Sequence, residues 1–200
     1  MVLEYLFVFN KIIDKNMKEN YELIMIAEGD SNRYALIKEG ESMLYVFGVN
    51  PSTATDKKSD PTMQKVKKFA ENFGFNGYAM LNLYPLRSTN PYALPKKMNE
   101  ELHQKNLRYI KEVIGNAINP VVLCAFGNSI NAAPYLRTCF KEIITVLRPL
   151  NPLWKRLGTL TKAGNPRHPS RAAYSSILED FDVDKYLGKN SALGENAGSL

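Results

Sequence analysis

Apolar and polar positions change period several times along this chain, and each change predicts a different element. YELIMIAEG and NRYALIKEG, divided at Gly29, Asp30 and Ser31, predict a hairpin within residues 1–40. Met43 to Val49, MLYVFGV, is a nearly unbroken apolar run, as in a strand covered on both faces, and Asn50-Pro51 ends it because proline cannot donate to a ladder. Beyond Thr62, the residues Met63, Val66, Phe69 and Ala70 recur at helical spacing opposite Lys65, Lys67 and Lys68, with Gly74 placed as the stop. Tyr78 to Leu83 is a second apolar run. A Pro-bearing loop then leads to a helix from about Asn99, carried by Leu102, Leu107, Ile110, Val113, Ile114 and Ala117. A third run, Val121 to Phe126, closes on Gly127-Asn128, and a fourth, Ile143 to Leu147, precedes a basic, Pro-rich loop. Arg171 to Phe181 is expected to form a terminal helix, and the Gly/Ser/Asn-rich residues 189–200 a disordered tail.

Strands that alternate with helices predict an α/β fold, a three-layer α/β/α sandwich around a mostly parallel sheet, as one domain over residues 1–188. Open sheets of this kind bind ligands beyond the carboxyl ends of their strands. Asn50, Asn82, Asn128 and, in a later loop, His168 fall in that place, although Asn residues there also serve as turn formers.

Composition narrows the class. Two hundred residues with 44% hydrophobic and 23% charged content describe a soluble globular chain that needs no staples for its core. Cys124 and Cys139 read as reduced, buried thiols rather than a bridge or metal site. The opening MVLEYLFVFNK carries Glu4 inside its apolar stretch and no basic segment before it, so neither a secretory signal nor a membrane span is expected, and the reading is cytoplasmic. A net charge of +6 permits a polyanionic partner.

Several chemistries lack their motifs: there is no GxxxxGK[ST] loop, no GxGxxG, no GxSxG elbow, and no CxxC or HExxH spacing. His103, on an amphipathic helix, is expected at the surface. His168 differs, because in GNPRHPSR two prolines stiffen an imidazole between Arg167 and Arg171. That loop is either a basic surface turn or a donor to something anionic.

Gly48-Val49-Asn50-Pro51 after the first core strand, Met80-Leu81-Asn82 after the second, a Gly-ended VVLCAFG and His168-Pro169-Ser170 resemble, in order, the motifs of the uracil-DNA glycosylase superfamily. NPSTATDKKSDPT, NLYPLRSTNP and GNPRHPS are more closely similar to a bacterial and phage family, DUF1643, which resembles a divergent branch of that fold. The resemblance implies hydrolysis of an N-glycosidic bond in a flipped nucleotide, with no cofactor and no metal. It implies Asn50 as the residue that positions water, His168 as donor to the departing base, Asn82 as reader of the base edge, and Gly48 and Pro51 as pocket residues. Ser52, Arg87, Arg167, Ser170 and Arg171, with Lys162 nearby, are then candidate DNA contacts on the same rim. Asp60, like Asp56 in the same polar loop, is either a carboxylate near the sugar or, before Pro61, a helix-entry turn. Arg171 or Tyr174 is a candidate wedge into the duplex, Tyr174 reading equally as core of the last helix, and Trp154 reads as packing with Leu153 and Leu157.

The expected activity is that of a monomeric, monofunctional DNA glycosylase removing uracil or a modified pyrimidine, including a hypermodified phage base in antiviral defence. Monofunctional follows from the absence of lysine in the motifs Gly48–Pro51, Met80–Asn82 and His168–Ser170, since a lyase needs an amine. The alternatives are a non-catalytic nucleic-acid or nucleotide-binding module on the same fold, and hydrolysis of a free nucleotide.

Overall fold

Alternation within the central strand sets the layers. In β3 (Met43–Gly48) Leu44 and Val46 belong to one buried cluster, while Tyr45 and Phe47 belong to another on the opposite face of the sheet. Both faces are therefore covered, as the unbroken apolar run predicts. The computed structural model describes residues 23–115 and 117–188. The expectations for the first 22 residues and for a tail at 189–200 lie outside the described residues.

The hairpin forms as expected: β1 (Ile24–Glu28) pairs antiparallel with β2 (Asn32–Lys38) across Gly29, whose φ of 57° favours glycine. The other strands are β4 (Gly77–Asn82), β5 (Val121–Cys124), β6 (Leu153–Leu157) and β7 (Leu178–Asp180). Their order across the sheet is β1-β2-β4-β3-β5-β6-β7, with β4, β3, β5 and β6 mutually parallel and both flanks antiparallel. Helix α1 (Pro61–Asn72) begins at an Asp60 cap and puts Met63, Val66, Phe69 and Ala70 on one face of the sheet. Helices α2 (Glu100–Ile114) and α3 (Tyr135–Leu147) cover the other face with residues 183–188, which are also helical. The result is an α/β sandwich with a mixed, centrally parallel sheet.

From β3 the chain crosses by α1 to β4 on one side, and from β5 it crosses by α3 to β6 on the other. Winding therefore reverses between the neighbouring strands β3 and β5, and the loops leaving their carboxyl ends part there to open a crevice.

Four expectations need correction. Ile143 to Leu147 is the end of α3 rather than a strand, because it continues a helical stripe from Leu136, Cys139 and Phe140. The fourth parallel strand is instead β6, which holds Trp154. The segment from Arg171 is not helical: after a 3-10 turn at Pro169–Arg171, the carbonyls of Ala172 and Tyr174 accept bonds from Lys65 and Asn72 of α1, and β7 then pairs with β6. Tyr174 accordingly lies outside the core at 52% exposure, with its ring against Phe69 and beneath the Lys65 ammonium. His103 is fully buried, because its face of α2 packs on α3, where Nε2 lies 3.1 Å from Glu142.

Among the described residues no helix is long and apolar enough to cross a membrane, and no group of three or more His, Cys, Asp or Glu side chains is placed to hold a metal. Cys124 and Cys139 are free and buried.

Leu123, fully buried in β5, fills the face that α1 covers. Leu123→Ala should lower stability by about 2–5 kcal/mol in urea unfolding, since the cavity adds to the lost transfer energy. A loss near zero would contradict this placement of β5 in the interior of the sheet, beside β3.

Candidate functional site

A cleft of about 520 Å³ opens at the reversal point, and the loops after all four parallel strands contribute to it. Gly48, Asn50 and Ser52 come from the loop after β3, Ser88 and Thr89 from that after β4, and Phe126 to Ser129 from that after β5. Thr161 and the stretch from Arg167 to Arg171 follow β6, and Asp60 with Thr62 stands at the start of α1. Of the residues singled out in the sequence, Gly48, Asn50, Ser52, Asp60, Arg167, His168, Ser170 and Arg171 line this cleft.

Asn50 stands two residues beyond β3, whose parallel pairing is extended as the carbonyls of Gly48 and Val49 accept from Leu83 and Tyr84. Its Nδ2 faces three carbonyls, at 2.8 Å from Ser88, 3.0 Å from Pro51 and 3.4 Å from Leu86. Carbonyl oxygens only accept, so the amide can sit in one orientation alone, with nitrogen inward. Oδ1 is left without a protein partner among the described residues, as a free acceptor. Pro51 is buried and lies behind the cleft, and its carbonyl also accepts from the Ser88 N–H.

His168 is held by a different constraint. Its Nδ1 lies 3.2 Å from the Ser170 backbone nitrogen and 2.8 Å from Ser170 Oγ. A backbone N–H can only donate, so Nδ1 is the acceptor and the proton of the neutral ring sits on Nε2. Burial pulls the imidazole below its ordinary value of 6.5, opposed by the Asp60 carboxylate and helped by Arg171. The loop reaches the cleft because Gly127 lets it pass: a Cβ there would sit 3.0 Å from that of His168, and its φ of 59° already favours glycine. Behind it, Tyr186 donates to Asn165 Oδ1 at 2.7 Å, and Asn165 Nδ2 donates to Asn128 Oδ1 at 3.0 Å. Thr161 donates to the same Asn128 oxygen.

Asp60 takes both places that the sequence allows, since Oδ1 caps α1 through the Met63 N–H at 2.9 Å while the residue also lines the cleft. Arg167 is tied to Thr159 through Nε at 2.8 Å, and Arg171 is exposed at the rim. Arg87 stands outside the lining and braces the loop from behind, donating from Nη1 to the carbonyls of Ser52 and Ala54. Asn82 lies beneath the floor. Both polar atoms of its amide are buried without a partner, and Oδ1 lies 3.3 Å from where a Gly48 Cβ would stand.

Arg33 is a lining residue that the sequence reading missed. It is 3% exposed, and its Nη1 donates to the Ala54 carbonyl at 2.6 Å. Burial and the neighbouring Arg87 charge lower its guanidinium to about 10, with Asp60 opposing, so it stays a cation at neutral pH. Its place directly before the apolar stretch YALI marks it as a strand-edge charge, while its burial depends on the distant Ala54 carbonyl.

Fold and cleft define an open-sheet α/β domain with a polar, cationic crevice at its switch point. Residues 33–170 match the family described as Protein of unknown function (DUF1643), and the chain belongs to that family. The match begins at Arg33 and ends at Ser170, both lining residues. No curated protein and no solved structure matches the chain.

Two predictions follow from these constraints. Asn50→Asp would set a carboxylate against three carbonyls, so it should lose about 1–3 kcal/mol in urea unfolding and more than Asn50→Ala; equal stability of Asn50→Asp and wild type would contradict the amide orientation. His168 should titrate below 6.5 by NMR of its ring protons, lower still in Asp60→Asn and higher in Arg171→Ala. Because the unfolded chain then takes the proton first, stability should fall as pH drops through 6.5 toward the folded value. A raised value for His168 would contradict the stated cause.

Proposed function

We propose that the cleft hydrolyses the N-glycosidic bond of uracil or a modified pyrimidine in DNA, freeing the base and leaving an abasic site. The observation that carries this reading is the pairing of two neutral groups with fixed polarity in one cleft: Asn50 offers only its amide oxygen, and His168 offers only Nε2–H. Such a pair suits a reaction in which water adds to a cationic sugar while negative charge grows on a departing ring.

In this mechanism the C1′–N bond breaks with its electron pair going to the base. His168 donates to a base carbonyl oxygen as that charge builds, and a depressed imidazole does so as a neutral donor. Asn50 Oδ1 accepts from the water that adds to C1′, and the proton released by the water neutralises the freed base. An amide is too weak to abstract that proton, so departure of the base leads and water follows. Phe126, Met63 and Met80 give the cleft an apolar wall for the base. The resemblance to the uracil-DNA glycosylase superfamily assigns the base edge to Asn82. The methyl of Met80 lies in the space that a Gly48 Cβ would take, so Met80 must turn for a base to reach that amide, as an unbranched side chain can.

Arg167, Arg171, Ser170 and Ser52 then meet the DNA backbone at the rim, with Arg87 holding Ser52 in position. The lysine-free lining supports a monofunctional enzyme.

Duplex and single-stranded DNA bearing uracil, 5-hydroxymethyl or glucosylated pyrimidines should release one of these bases, read by mass spectrometry and by alkali-labile breaks. His168→Ala should slow release about a hundredfold or more, and Asn50→Ala should slow it while DNA affinity is kept. Binding without release from any substrate would overturn the enzymatic reading and leave a nucleic-acid-binding module.

A further inference from the structure

Arg33 is anchored at the start of β2, which runs antiparallel to β4 and therefore begins beside the carboxyl ends of the parallel strands. Its N–H donates to the Pro85 carbonyl at 2.9 Å, which fixes the backbone beside the cleft. The guanidinium uses Nη1 on Ala54, its Nε is buried without a partner, and Nη2 has no protein partner among the described residues. Arg87 shares the same Ala54 carbonyl at 3.2 Å, and its own Nε is likewise buried and unpartnered. Two guanidinium groups thus converge on one oxygen, and neither forms an ion pair among the described residues. Asp60, the sole acid lining the cleft among the described residues, is bound to the Met63 N–H.

A buried cation with the Asp60 charge near but no ion pair is a poor structural choice, since one carbonyl is served as well by a neutral donor and is already served by Arg87. It is a good choice where a ligand brings the charge. Phosphate fits this place, because its oxygens match the planar fork of an arginine and can also take the hydroxyls of Ser52 and Thr62 in the same cleft. We infer that Arg33 is the binding residue for a phosphate group of the ligand, at a site inside the cleft and separate from the rim contacts of Arg167 and Arg171. The identity of that ligand as a nucleotide rests on the reading proposed above, whereas the phosphate site rests on Arg33 alone.

The test follows thermal stability and binding of wild type, Arg33→Met and Arg33→Lys at constant ionic strength, with inorganic phosphate, deoxyuridine monophosphate, deoxyuridine and a deoxyuridine-containing oligonucleotide as probes. Wild type should bind the monophosphate more tightly than deoxyuridine. Arg33→Met should weaken that binding about thirtyfold or more and leave deoxyuridine unchanged, while its unliganded Tm equals or exceeds that of wild type. Arg33→Lys keeps the charge without the fork and should bind at an intermediate level, which keeps the test open if Arg33→Met fails to fold. Loss confined to the monophosphate marks a terminal phosphate, and loss extending to the oligonucleotide marks a diester in the chain. Unchanged affinity for inorganic phosphate, the monophosphate and the oligonucleotide in Arg33→Met, or in Arg33→Lys if that is the variant that folds, would overturn the inference. Arg33-dependent phosphate binding without base release would overturn only the glycosidic reading.

Discussion

Three backbone carbonyls from two loops meet on the Nδ2 of Asn50, and the cleft takes its form from that meeting. The Ser88 N–H on the Pro51 carbonyl and Arg87 on those of Ser52 and Ala54 also tie the loop after β3 to the loop after β4. Among the described residues, only at Asn50 do acceptors of both loops meet one side chain that lines the cleft. An amide supplies two N–H donors in one plane and can join them, whereas a carboxylate would repel the same oxygens. The arrangement also decides what the cleft receives, since the amide must then present its oxygen. A structural tie and a chemical polarity are here one interaction. The reversal of winding between β3 and β5 places it, because only there do neighbouring loops leave a crevice to be lined.

The second half of the cleft is organised by backbone chemistry of the same kind. A single N–H from Ser170 fixes the tautomer of His168, and Gly127 permits the close passage of its loop. Burial then favours the neutral ring, so that the group offers a proton in a hydrogen bond without carrying charge. Positive charge stands at two depths in the same cleft. It lies deep at Arg33, where it is buried, and shallow at Arg171, where it is exposed. The cleft thus sets a neutral amide and imidazole beside cations at two depths; under the proposed reading, the former pair would act on the glycosidic bond and the cations would hold the ligand's phosphates.

Most of the fold was legible in the sequence because the parallel strands are short apolar runs bounded by Gly, Pro or Asn. Ile143 to Leu147 misled for a physical reason: a helix packed on a sheet by a wide apolar face reads locally like a buried strand, and only the longer stripe from Leu136 separates the two. β6 was hidden by the opposite effect, since Lys155 and Arg156 interrupt LWKRL and both pair with acids of the antiparallel neighbour β7. The cleft residues Asn50 and His168 stood out by their place after strands and between prolines. Arg33 did not, because nothing local tells a strand-edge arginine at the surface from one folded under a loop by a distant Ala54 carbonyl. Asn82 was legible as a residue and not as a position, for only the packing of Gly48 and Met80 puts it beneath the floor.

The most direct measurement of the central claim is a crystal structure of the protein bound to DNA that carries a non-hydrolysable 2′-fluoro pyrimidine nucleotide. The account predicts the nucleotide turned out of its strand into the cleft, with a base carbonyl on His168 Nε2 and a water between Asn50 Oδ1 and C1′. A base left stacked in the DNA with the cleft empty, or an Asn50 amide turned to present nitrogen to the ligand, would contradict it.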